Sequence, residues 1–203
     1  MGGEKIAFVT EGTASRCREI CVALARAGYA VAFTYSGDAR TAEDLKAAIE
    51  AEGVRALAHE VKKFDASELS NAVIGTAEEL GGADLLVYFG DMPEDYETEG
   101  ELTLDLDETD WDEAMDRGVR GFFLCCKFIL PYLISRPGAR IVAVDTKPHD
   151  CGACNLAKFV ASRALHAAVE RISTEMSFYG VSVACKKISD DFLSEIAEIE
   201  ANG

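Results

Sequence analysis

Six short runs rich in β-forming residues alternate along the chain with amphipathic stretches of helical period, and this alternation limits the fold more than any other feature. The β-rich runs are 5–10, 30–35, 56–61, 84–89, 140–145 and 181–187; the helical patterns fall near 15–27, 40–52, 67–80, 109–132 and 155–178. Strands separated by helices of this length require right-handed crossovers and hence a parallel sheet. The runs are almost continuously apolar, as expected when helices cover both faces of the sheet. Gly28, Gly53 and Gly81-Gly82 close helical stretches, where a C-terminal cap favours positive φ. The expected class is α/β, a doubly wound parallel sheet of about six strands. At 203 residues the chain can bury one core but not two ordinary ones, so residues 1–203 are expected to form a single domain.

Charge narrows the partners. A formal charge of −16 opposes nucleic acid and anionic membranes, since long-range repulsion lowers their local concentration. Thirteen carboxylates and no Lys or Arg lie in the acidic segment 91–116. It reads either as a solvated loop or as a docking face for a basic partner. No apolar run has the length of a membrane span, and the first residues do not form a signal peptide. Seven cysteines in an odd, irregular set are not a disulfide framework and suit a reducing cytoplasm. Cys125-Cys126 and Cys185 sit in apolar runs and read as buried small hydrophobes; His59 and His166 are isolated and are assigned to packing. His149-Asp150-Cys151-Gly152-Ala153-Cys154 is the compact cluster of soft ligands. A passive loop, a redox pair Cys151/Cys154 and a metal site are all open readings, although zinc would want a further ligand.

The first strand feeds a turn, Thr10-Glu11-Gly12-Thr13-Ala14-Ser15-Arg16-Cys17, and then a helix. Such a turn can hold a dinucleotide only where glycine allows the tight bend and close approach of pyrophosphate to backbone N–H groups. A carboxylate at Glu11 about 4 Å from a pyrophosphate would cost on the order of 4 kcal/mol at an effective dielectric near 20. That is about three decades of affinity. Thr13, Ser15 and Arg16 at the helix start remain candidates for holding a small anion.

Between Lys5 and Ile188 the order of elements resembles the short-chain dehydrogenase/reductase family. The resemblance rests on Val9-Thr10 with Arg18-Glu19-Ile20 and Leu24-Ala25-Arg26-Ala27-Gly28, on Asp84-Leu85-Leu86-Val87, and on Trp111-Asp112 with Gly121-Phe122-Phe123-Leu124. Arg140-Ile141-Val142 and Ala161-Ser162-Arg163-Ala164-Leu165-His166 complete it. It implies a Rossmann-like fold, and it also exposes a pattern of losses. The family's glycine-rich turn becomes Thr10-Glu11, with Ser15 and Cys17 in its other glycine places. Its adenine-binding aspartate falls at Lys62, and its Asn-Asn-Ala-Gly motif reads Tyr88-Phe89-Gly90-Asp91. The family's catalytic asparagine, serine, tyrosine and lysine places hold Gly118, Thr146, Phe159 and Arg163. The Pro-Gly after its sixth strand is Ile188-Ser189. The chain also ends where the family has its substrate lid and last strand, which gives a C-terminally truncated expectation for the domain.

Phe159 has no proton to give a developing alkoxide, which removes general acid help worth roughly 10²–10⁴ in rate. Arg163 keeps a charge but does not deprotonate. These substitutions imply no catalytic, cofactor-binding or metal residues in this chain. The helices near 109–132 and 155–178 carry more apolar side chains than one sheet face needs, including Phe122, Phe123, Phe159 and Val160. The surplus fits a subunit interface or a thicker core. In the family these helices pair subunits, so the resemblance implies a non-catalytic subunit bound to a paralogous active dehydrogenase. That partner would bind NAD and oxidise a hydroxyacyl-CoA-type alcohol, a chemistry met in anaerobic aromatic degradation. The alternatives are an enzyme with rewired chemistry at Cys151/Cys154 and a stand-alone protein-interaction module.

Overall fold

The computed structural model describes residues 4–62, 64–90, 102–145 and 155–187. Thr146, the His149–Cys154 cluster, Ile188-Ser189 and residues 91–101 of the acidic segment lie outside them.

Six strands form one parallel sheet: β1 (Lys5–Val9), β2 (Tyr29–Tyr35), β3 (Ala56–Glu60), β4 (Leu85–Phe89), β5 (Arg140–Asp145) and β6 (Ser182–Lys187). Their order across the sheet is β3-β2-β1-β4-β5-β6. Helices α1 (Ser15–Arg26), α2 (Ala39–Glu50), α3 (Ala66–Leu80), α4 (Glu108–Met115), α5 (Gly121–Leu133) and α6 (Leu156–Met176) make the crossovers. This is a Rossmann-like α/β architecture.

Both faces of the sheet are buried because successive side chains point opposite ways. Along β1, Ile6 and Phe8 enter a core shared with α3, α5 and α6. Ala7 and Val9 enter a second core beneath α1 and α2. All four are at most 1% exposed, which explains the unbroken apolar run. Helix starts follow local chemistry. Asp38, Asp65, Asp107 and Asn155 each accept a backbone N–H in the first turn of the helix that follows. Such caps contribute about 1 kcal/mol apiece. At the other end of α3, Gly81 takes φ +103°, a left-handed stop that suits glycine.

The pattern over 109–132 suggests one helix, and the backbone is helical without a break across it, with one irregularity inside. Between α4 and α5 the residues Asp116–Arg120 form a π-helical turn. Much of the apparent apolar surplus is also used internally: Phe122, Cys126 and Ile129 on α5, and Leu165, Val169 and Met176 on α6, are buried in the main core. A small third cluster, Ala114 with Ala157 and Ala161, joins α4 to α6 beside Trp111 and Met115. Phe123, Leu156 and Phe159 remain on the outside, at 53%, 39% and 41% exposure.

No helix among the described residues is long and apolar enough to cross a membrane.

Candidate functional site

The strand order reverses between β1 and β4, so the two chains leaving their C-terminal ends diverge and open a crevice there. Thr10 holds the two strand ends together. Its hydroxyl accepts the Phe89 N–H at 2.7 Å and donates to the Phe89 carbonyl at 3.2 Å, while its own N–H donates to the Val87 carbonyl at 3.1 Å. The side chain is fully buried.

The next residue, Glu11, has φ +54°. The turn has therefore kept the left-handed conformation that glycine serves, with a non-glycine residue in it, at a cost of roughly 1–2 kcal/mol. Backbone bonds offset that strain. The Glu11 N–H donates to Thr34 Oγ1 at 3.1 Å, and the Gly12 N–H donates to the Thr34 carbonyl at 2.8 Å. Gly12 is required by space, since a Cβ there would lie 2.7 Å from Phe33 Cβ. The other two glycine places of the family turn, Ser15 and Cys17, both fall on α1: Ser15 is its first residue, and Cys17 is buried as part of the α1-side core.

The Glu11 carboxylate meets Arg117 of the π turn, with Oε1 3.5 Å from Nη1. Arg117 Nε also donates to Glu113 Oε1 at 3.1 Å, one turn back on α4. One guanidinium thus lies between two carboxylates, all three side chains being less than a third exposed. Burial pushes the Glu11 carboxyl above its ordinary range, and the Arg117 charge pulls it part of the way back.

Tyr88 anchors the π turn from below. Its ring is fully buried between Phe64, with centroids 5.6 Å apart, and Phe122, at 5.3 Å edge to face. Its hydroxyl donates to the Arg117 carbonyl. Burial holds the phenol well above its usual range, so it stays a donor throughout the physiological range. Glycines on both sides make room: a Cβ on Gly90 would come within 2.6 Å of the Arg117 carbonyl oxygen, and one on Gly121 within 2.5 Å of the Tyr88 hydroxyl.

Of the family's catalytic places, those of Gly118, Phe159 and Arg163 lie among the described residues. Gly118 is buried where the π turn touches α6, and a Cβ there would lie 2.7 Å from Ala161 Cβ. An asparagine side chain therefore has no room in this packing. Phe159 is exposed, with the Arg163 guanidinium 5.5 Å from its ring centre. Lys62 pairs with Glu60 at 3.4 Å, and its N–H donates to Glu68. Among the described residues, no group of three or more His, Cys, Asp or Glu side chains is placed to hold a metal.

One expectation needs correction: Cys185 is half-buried against the main core rather than fully buried. His166 packs against it, with Nε2 3.4 Å from Cys185 Sγ. Nineteen residues separate them, and only the packing of α6 on β6 brings them together. His59 fits the packing assignment, with its Nε2 3.1 Å from Thr76 Oγ1. Arg117 had no individual mark in the sequence beyond its i, i+4 spacing from Glu113.

Residues 5–188 match the family model for short chain dehydrogenases. The 3-oxoacyl-[acyl-carrier-protein] reductase FabG of Staphylococcus aureus is 28% identical over 160 residues, covering 79% of this chain and 63% of the reductase. The chain thus spans under two thirds of the length of that relative. The corresponding reductase of Synechocystis is 24% identical over 180 residues, covering 88% of this chain and 71% of its own. Among solved structures, a short-chain dehydrogenase from Burkholderia cenocepacia in complex with NADP superposes with a TM-score of 0.81 at 27% identity, covering 90% of this chain and 73% of its own. A dehydrogenase/reductase from Sinorhizobium meliloti gives 0.80 at 25%, covering 93% and 74%. With its sheet order, its crevice and nearly its whole length accounted for in this way, the chain belongs to the short-chain dehydrogenase family.

Proposed function

We propose that this member of the family is a non-catalytic subunit that pairs with an intact short-chain dehydrogenase and leaves the chemistry to it. The observation that carries the reading is the Glu11–Arg117–Glu113 group at the mouth of the crevice. A nicotinamide dinucleotide is a poor fit to these residues. Its pyrophosphate would approach the turn after β1, where the local charge is two carboxylates against one guanidinium. To enter, it would have to displace Glu11 from Arg117 and leave a partly buried carboxylate beside phosphate. Repulsion of about 4 kcal/mol is the scale for one such contact at 4 Å.

The catalytic places support the same reading. Phe159 offers no proton, and Gly118 stands where α6 leaves no space for a polar side chain. With no general acid at Phe159, no step of hydride transfer is assigned to this chain.

The partner is proposed to be a paralogous active subunit, docked on α5 and α6 where Phe123, Leu156 and Phe159 are exposed. That chain would carry NAD. Its substrate is proposed to be a hydroxyacyl-CoA-type alcohol, a class supported by the curated relatives whose names specify a 3-oxoacyl group, there on acyl-carrier protein, the oxidised form of such an alcohol. A more specific candidate is the heteromeric 2-[hydroxy(phenyl)methyl]succinyl-CoA dehydrogenase of anaerobic aromatic degradation, suggested by the similar pattern of lost residues and the cysteine-rich composition.

Co-expression with an intact paralogue tests the proposal. The expected result is a stoichiometric complex in which dehydrogenase activity is lost on replacing the partner's catalytic tyrosine. Phe123→Asp together with Phe159→Asp in this chain should abolish co-elution. Dehydrogenase turnover by the isolated chain would overturn the reading.

A further inference from the structure

Among the described residues, a groove of about 620 Å³ runs between α6 and β6, the last strand in the sheet order. On the helix side its lining follows one stripe, in which Arg163, His166 and Glu170 recur at spacings of three and four. On the strand side Val183 and Cys185 share the face that looks at α6, as residues two apart must. Cys185 Sγ and His166 Nε2 are 3.4 Å apart in this groove. The crevice at the β1–β4 switch point uses neither residue.

We propose that Cys185 and His166 form a thiol–imidazole dyad that makes Cys185 a covalent modification site for small α,β-unsaturated carbonyl compounds. In the Nδ1-protonated tautomer, His166 Nε2 accepts the thiol proton. The sulfur lone pair then forms an S–C bond at the β-carbon while the alkene π pair moves to the α-carbon as an enolate. The proton on Nε2 passes to that α-carbon. The net change is addition of S–H across the double bond, so neither oxidant nor reductant is needed. A base within hydrogen-bond reach of a thiol is the ordinary way such a nucleophile is activated. The charged groups lining the groove are Arg163, one turn before His166, and Glu170, one turn beyond it. The β6 residues lining it carry no charge.

The other described cysteines serve as internal controls. Cys17, Cys21, Cys125 and Cys126 are at most 3% exposed. Burial pushes the Cys21 and Cys126 thiols up to about 12 and raises Cys125 as well.

The test is acrylamide addition to the folded chain between pH 5.5 and 9, with adducts assigned by peptide mass spectrometry. Cys185 should be labelled with a half-maximal pH at least one unit below the value near 8.5 of an unperturbed thiol. The four buried cysteines should react only after denaturation. His166→Gln should slow Cys185 labelling at pH 6.5 tenfold or more and return the profile to the ordinary range. A wild-type profile centred at 8.5 or above overturns the dyad, and does so even if His166→Gln fails to fold. An unchanged rate in a folded His166→Gln variant overturns it as well.

Discussion

The packing beneath the crevice predicts a specific coupling between Tyr88 and Gly121. Tyr88→Phe keeps the ring between Phe64 and Phe122 but removes the hydroxyl that donates to the Arg117 carbonyl. The site is closed to solvent. The loss should therefore be about 1–2 kcal/mol, a net hydrogen bond plus part of the desolvation of an unpaired carbonyl. Gly121→Ala brings a methyl to 2.5 Å from that hydroxyl and 2.9 Å from the Phe64 ring. Overpacking of this kind costs about 1–3 kcal/mol, against up to about 1 kcal/mol gained from alanine's better helix propensity. In the Tyr88→Phe background the closest contact is gone and only the Phe64 overlap remains. The double variant should be more stable than the sum of the single effects by about 1 kcal/mol, within the range for residues in contact. Urea unfolding of the four proteins measures this directly. Additivity within about 0.3 kcal/mol would mean that the hydroxyl does not occupy the space beside Gly121, and the account of how the π turn is held would fail.

Two further perturbations probe the turn itself. Thr10→Val removes the hydroxyl that serves both the N–H and the carbonyl of Phe89, and it should cost about 1–3 kcal/mol, seen as a fall in Tm of several degrees; an unchanged Tm would show that Thr10 does not tie β1 to β4. Glu11→Gln tests the electrostatics by pH. Because burial raises the folded carboxyl above its ordinary value near 4.5, its contribution is full below that value and is lost as pH rises through the folded one. The non-titrating glutamine variant should therefore gain stability relative to wild type between pH 4 and 7, and a flat difference or one of opposite slope in urea unfolding would contradict the assigned burial.

Much of the fold was readable because its elements carry redundant signals. All six strands lie within a residue or so of their apolar runs, since a strand buried on both faces must be apolar throughout. Thr10 and Val61 extend those runs in sequence and lie just past the strand ends, each still donating its backbone N–H to the neighbouring strand, to Val87 and to Tyr35. The π turn at Asp116–Arg120 left no such trace, because one extra residue in a helical turn barely changes the hydrophobic period over 109–132. The site was readable only as substitutions. That Glu11 occupies a glycine place follows from the motif; that it sits at φ +54° and meets Arg117 does not, since 106 positions separate the pair and the reversal of strand order joins them. The Cys185–His166 contact escaped for the same reason. Each residue looks ordinary in its own element, and the chemistry arises only where α6 lies across β6.

In the proposed reading, the crevice at the β1–β4 switch point is closed to a nicotinamide dinucleotide by Glu11 and its neighbours. Titration of the isolated chain with NADH, followed by nicotinamide fluorescence and calorimetry, decides the matter. No saturation is expected up to about 1 mM, with repulsion at Glu11 lowering affinity by about three decades. Saturable binding in the micromolar range, with Glu11 and Arg117 intact, would contradict it.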